Sequence, residues 1–104
     1  MIKLIENYTG TDSWFRKWSN GLIEQGGKIT QSFSTDSSYT FTFPRPFVNA
    51  PFVLTTTMIA PRVSDSQGSE LGVKKGTLTA TGVTFINDGY GANKTGYYWE
   101  AVGF

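Results

Sequence analysis

Tyr39-Thr40-Phe41-Thr42-Phe43-Pro44-Arg45-Pro46 is the stretch that decides the fold class. Aromatics and threonines alternate strictly across its first five residues, which puts rings on one side of an extended chain and hydroxyls on the other. A helix would scatter the same residues around its circumference, so the pattern predicts a half-buried strand. The prolines that follow, with a third at Pro51, lack the N–H groups a sheet interior needs. Pro44 to Pro51 is therefore expected to be a stiff crossover with Phe47 tucked under it.

Working upstream, Trp14-Phe15-Arg16-Lys17-Trp18 reads as a short strand and Ser19-Asn20-Gly21 as a hairpin turn. Asn-Gly suits a type I′ turn, which needs φ > 0 at both central positions. The return strand is expected from Leu22 to about Phe33, with Gly26-Gly27 placed where a bulge or kink would bend it. Ser34 to Ser38 reads as a turn. Downstream, Phe52 to Ile59 is a strand, Pro61 to Gly72 a long polar loop, Val73 to Thr79 a strand, Ala80-Thr81-Gly82 a tight turn and Val83 to Asn87 its partner. Asp88 to Gly96 is a second long loop, and Tyr97 to Phe104 a closing apolar strand. Short strands at this spacing predict an all-β, antiparallel β-sandwich of about six or seven strands over residues 14–104. Residues 1–13 read as a lead-in segment or the stub of a stalk.

The composition narrows the chemistry. At 104 residues the chain fits one domain whose core needs no staples. It has no cysteine and no histidine, which removes disulfides, thiolate and imidazole metal sites, and Ser-His-Asp or Cys-His catalysis. No metal and no cofactor is expected. A net charge of +1 supplies no field for steering onto nucleic acid, and Arg16-Lys17 and Lys74-Lys75 are too sparse to track phosphates. No apolar run reaches the ~20 residues of a membrane span, and Met1 to Glu6 is too short and weakly basic for a signal peptide.

What remains is carboxylate chemistry or binding. Of the eight carboxylates, Glu24 and Glu100 alone sit mid-strand among apolar neighbours. A glycosidase pair must face across a cleft at ~5–9.5 Å, whereas two strand carboxylates ordinarily point to solvent or meet a basic side chain. The chain is read as a non-enzyme. Asp65 to Glu70 lacks the repeated acidic ligands of a calcium loop, and Gly89 to Gly96 lacks the Gly-Lys-Ser/Thr of a phosphate loop. The latter displays Tyr90, Asn93 and Lys94 on an adaptable backbone, a set suited to stacking on sugar C–H faces and bonding hydroxyls. An ordinary hairpin loop is the competing reading. Asn7-Tyr8-Thr9 and Asn93-Lys94-Thr95 match a glycosylation triplet that arises often by chance in an Asn/Thr-rich chain. For Trp14, Trp18 and Trp99 core packing is the default, with Trp18 an alternative edge or subunit contact.

Four segments carry a family likeness. Trp14-Phe15-Arg16-Lys17-Trp18-Ser19-Asn20-Gly21-Leu22-Ile23-Glu24-Gln25-Gly26-Gly27, Phe43-Pro44-Arg45-Pro46-Phe47-Val48-Asn49-Ala50-Pro51, Thr81-Gly82-Val83-Thr84-Phe85 and Tyr98-Trp99-Glu100-Ala101-Val102-Gly103-Phe104 resemble, in order, segments of bacteriophage tail-fibre C-terminal receptor-binding domains. Gly26 stands where a Trp is often found in that family. The resemblance implies a sandwich similar to H-type lectins, forming a homotrimer at the distal end of a virion tail fibre and binding a host cell-surface glycan or outer-membrane protein. A purely structural trimerisation cap is the alternative. On the first reading the long loops 61–72 and 88–96 carry recognition, with Arg62, Asp65, Tyr90, Asn93 and Lys94 as contact candidates. A trimer would also explain the last strand, whose two faces are both largely apolar. One face would meet the core and the other a neighbouring subunit.

Overall fold

The computed structural model describes residues 1–30, 37–59, 71–87 and 96–104, and among them eight strands and no helix. They are β1 (Leu4–Thr9), β2 (Ser13–Trp18), β3 (Ile23–Ile29), β4 (Ser37–Thr42), β5 (Val53–Ile59), β6 (Leu71–Val73), β7 (Gly82–Asn87) and β8 (Gly96–Gly103). They form two antiparallel sheets, one of five strands in the order β1-β2-β3-β8-β5 and one of three in the order β4-β7-β6. The all-β antiparallel sandwich predicted from the alternation is the architecture observed.

The rings of the Tyr39–Phe43 stretch build the core. Phe41 lies 4.8 Å from the Trp99 ring and 6.0 Å from Phe85, and Phe43 meets Phe47 edge-on at 5.3 Å. Thr40, on the opposite side of β4, faces Thr84 of β7 at 3.4 Å between hydroxyls. Phe47 is buried beneath the proline crossover, as expected. From the five-stranded sheet, Ile23, Ile29, Tyr97, Trp99 and Ala101 supply the other half of the core.

Several expectations need correction. Leu4–Thr9, not counted among the predicted strands, pairs with β2 and lengthens the sheet, although each of its residues is exposed. The Asn20-Gly21 turn is not the two-residue type I′ loop. Gly21 N–H donates to the Trp18 carbonyl at 2.9 Å, Trp18 N–H donates to the Leu22 carbonyl at 2.9 Å, and Gly21 has φ +92°. That is a three-residue loop with one left-handed glycine closing it. The side chain of Asn20 accepts from Leu22 N–H at 3.1 Å, the local bond Asn makes in turns.

Gly26-Gly27 makes no bulge, because β3 stays in unbroken register with β2 and β8. The glycines allow close approach instead: a Cβ on Gly26 would lie 2.6 Å from the Trp99 carbonyl oxygen and 2.9 Å from the Trp14 indole. The strand expected over Val73–Thr79 ends at Val73, and Leu71 and Gly72, placed in a loop, belong to it. Lys74 N–H donates to the Thr84 carbonyl and Thr77 N–H to the Lys74 carbonyl, folding Lys74–Thr77 into a turn with Gly76 at φ +80°. Ser37 and Ser38 likewise lie in β4, not in a turn.

Candidate functional site

Strand parity decides which side chains are available. In β3, Ile23, Gln25 and Ile29 point inward, so Glu24, Gly26 and Lys28 point out. Register carries this to the neighbours. Trp14 lies opposite Gly26 and Arg16 opposite Glu24 on β2, while Glu100 lies opposite Gly26 and Tyr98 opposite Lys28 on β8. Trp14 and Trp18 therefore stand on the outward face of the five-stranded sheet, half-buried, and only Trp99 takes the core position expected of all three.

A groove of about 830 Å³ opens on this face where β1, β2, β3 and β8 meet the turn at Gly10–Asp12. It is lined by Thr9, Trp14, Arg16, Lys28, Tyr98 and Glu100, among others. Gly26 has no side chain, and the Trp14 indole lies over its bare backbone, where a Cβ would come within 2.9 Å of the ring. The Arg16 guanidinium sits over the Trp14 ring at 4.9 Å and within 3.7 Å of Glu24. Glu24 also accepts a 2.6 Å bond from the Trp18 indole N–H. Tyr98 is 55% exposed, and no ion pair among the described residues engages Lys28 or Glu100.

Glu24 and Glu100 share this face as diagonal neighbours on adjacent strands, a relation that spaces residues by ~7–8 Å. Their environments differ: Glu24 is held by Trp18 and Arg16, while Glu100 borders the groove.

The residues singled out in the two long loops, Arg62, Asp65, Tyr90, Asn93 and Lys94, lie outside the described residues. The strands that bracket those loops are described, and they end together. Ile59 pairs with Gly96, Leu71 with Asn87 and Ile29 with Tyr97, next to the groove residues Lys28 and Tyr98. At the other end of β8 the side chains are apolar: Phe52 is 65% exposed and lies 6.2 Å from the ring of Phe104, beside exposed Val48. The chain thus has a polar, grooved end and an exposed apolar end.

One structural side chain that fixes the sheet face was hidden from sequence reasoning. Gln25 is fully buried, and its amide grips the crossover: Nε2 donates to the Arg45 carbonyl at 2.7 Å, and Oε1 accepts from Arg45 N–H at 3.1 Å. Arg45 in turn lies 4.2 Å over the Phe15 ring and bonds Glu6 at 2.8 Å. The available signal was a polar residue at inward parity between Ile23 and Ile29.

Residues 17–104 match the family model described as "Putative tail fiber protein gp53-like, C-terminal". Among solved structures, the chain is similar to an N-truncated R2-type pyocin tail fiber, with 25% identity and a TM-score of 0.71 over 95% of this chain and 37% of that one. It is similar to the Pseudomonas aeruginosa R2 pyocin fiber, also at 25% identity, with a TM-score of 0.72 over 95% of this chain and 25% of that one. An N-truncated R1-type pyocin tail fiber shares the fold at 18% identity and a TM-score of 0.71, over 95% of this chain and 84% of that one. The chain therefore spans well under half the length of the first two fibers. No curated protein matches it.

Proposed function

Because this chain belongs to the gp53-like family of tail-fibre C-terminal domains, we propose that it is the receptor-binding tip module of a phage or pyocin-type fibre, recognising a host cell-surface glycan. The observation that carries the reading is the polarity of the sandwich. The groove and the strand ends that bracket loops 61–72 and 88–96 gather at one end, and the exposed Val48, Phe52 and Phe104 lie at the other. A fibre tip needs one end to offer and one to seat. Arg62, Asp65, Tyr90, Asn93 and Lys94 stay the contact candidates of the two loops.

The apolar end supports a homotrimer. Val48, Phe52 and Phe104 are large apolar side chains open to water in the single chain, a surface association would cover. Three copies on one axis would multiply a weak single-site affinity. The module works at the distal end of the particle's fibre, by binding and without catalysis.

The test is a glycan array of bacterial-surface oligosaccharides probed with the assembled protein, together with adsorption to whole cells. Binding to at least one glycan class is expected, with no cleavage products from it. Absence of binding to every glycan and every cell refutes the reading. The apolar end also favours a second reading, a trimerisation cap without receptor binding. On that reading, adsorption by the intact fibre survives replacement of both loops, while trimer stability falls only with Phe52 and Phe104 substitutions.

A further inference from the structure

The geometry points to a second recognition site on the sheet face itself, in which the groove beside Trp14 binds one neutral hexopyranose unit of a surface glycan, apart from the two long loops. This rests on the glycan reading above and adds to it the place and the chemistry.

The site is made by an omission. β2 and β8 are separated by β3 alone, so their backbones lie ~10 Å apart at two strand spacings. In the row Trp14–Gly26–Glu100 the central position carries no side chain, so the Trp14 indole lies across it toward β8 and lines the groove together with Glu100. The next row along β3 and β8 adds Lys28 and Tyr98. An aromatic surface beside a donor and an acceptor matches a pyranose, which has apolar C–H patches and hydroxyls that both donate and accept.

Charge selects the class of sugar. In the groove lining Lys28 is countered by the carboxylates of Glu100 and Asp12, and the cation of Arg16 is spent on Trp14 and Glu24. The local field favours neither phosphate nor carboxylate groups, so a neutral hexose fits better than an acidic one. The groove volume of about 830 Å³ falls within the ~300–1,000 Å³ typical of small-ligand sites. Rigid strands supply every named contact, so binding orders little besides side chains.

The experiment follows the three indole N–H cross-peaks in the assembled protein, with Trp14 assigned through Trp14→Phe, during titration with the neutral hexasaccharides that score on the array. We expect the Trp14 peak to shift while Trp18 and Trp99 hold still. The Lys28→Ala/Glu100→Gln double variant, both positions exposed, should lose at least tenfold in affinity with trimer and fold intact. Array binding with an unmoved Trp14 peak and an unaffected double variant overturns the site but leaves the tip-module reading standing. Absence of binding to any glycan overturns both. A Trp14 peak that moves on dilution without sugar shows a second copy in the groove and also overturns the proposal.

Discussion

Replacing Gln25 with leucine tests how the crossover is held. The change keeps the side chain's volume close and removes both amide bonds to Arg45, whose lengths are 2.7 and 3.1 Å. Leucine can replace neither, so the Arg45 N–H and C=O lose their partners inside the sandwich. A buried polar group left unsatisfied costs ~1–3 kcal/mol, which for two groups gives ~2–6 kcal/mol. Two effects reduce this. Arg45 is half-buried, so water reaches some of its backbone, and leucine gains apolar contact at a fully buried position. The expected net loss is about 2–4 kcal/mol, a large fraction of the ~5–15 kcal/mol typical of a domain.

Equilibrium urea unfolding followed by tryptophan fluorescence measures it, at one fixed chain concentration because assembly would otherwise shift the midpoint. A loss below about 1 kcal/mol at unchanged m-value refutes the reasoning. A second measurement isolates the cause. Because Gln25 bonds the backbone of Arg45 and not its guanidinium, Gln25→Leu should cost the same within about 0.5 kcal/mol when made in Arg45→Ala. A larger coupling would mean that the Arg45 side chain, through Phe15 and Glu6, was the real anchor.

Glu6→Gln should cost no more than about 1 kcal/mol, and the cost should shrink in 1 M salt, because its bond to Arg45 joins two substantially exposed groups; thermal melts at two ionic strengths check this. Gly26→Ala should destabilise by at least about 2 kcal/mol, since its Cβ meets a backbone carbonyl as well as the Trp14 ring; calorimetry reads it, and Trp14→Ala should relieve only part of the loss. Trp18→Phe removes the 2.6 Å bond to Glu24 and should cost about 1–2 kcal/mol in urea unfolding, while Glu24→Gln, which keeps an acceptor, should cost less.

The fold was legible where period and parity agree. Tyr39-Thr40-Phe41-Thr42-Phe43 alternates because one face meets Trp99 and Phe85 and the other meets water, so solvent alone writes the pattern. Prolines 44, 46 and 51 are as direct, since a missing N–H reads the same in sequence and in space. The failures share one cause: a residue whose reason lies in another strand. Gly26 looks like a kink in its own strand, yet what requires it is the Trp14 indole across the ladder and the Trp99 carbonyl beyond. Lys74 to Thr77 reads as a continuous strand until the Thr84 carbonyl captures Lys74 N–H and the chain turns. Gln25 is a polar residue at an inward position whose partner, the Arg45 backbone, comes from a distant segment.

The groove follows from the same logic. Taken singly, Trp14, Lys28, Tyr98 and Glu100 are a core aromatic, a surface cation, a tyrosine and a stray carboxylate, spread over 87 positions of chain from 14 to 100. Only the register Trp14↔Gly26↔Glu100 with Lys28↔Tyr98 puts them around one trough. Register depends on every turn and crossover at once, and a one-residue slip in β3 would turn Gly26 inward and set Gln25 on the outer face. The inward Gln25 that clasps the crossover and the outward Gly26 that seats the Trp14 indole are thus consecutive residues under one constraint. A slip would break the clasp and unseat the ring together, so the bond that stabilises the sandwich also fixes the face that recognition would use.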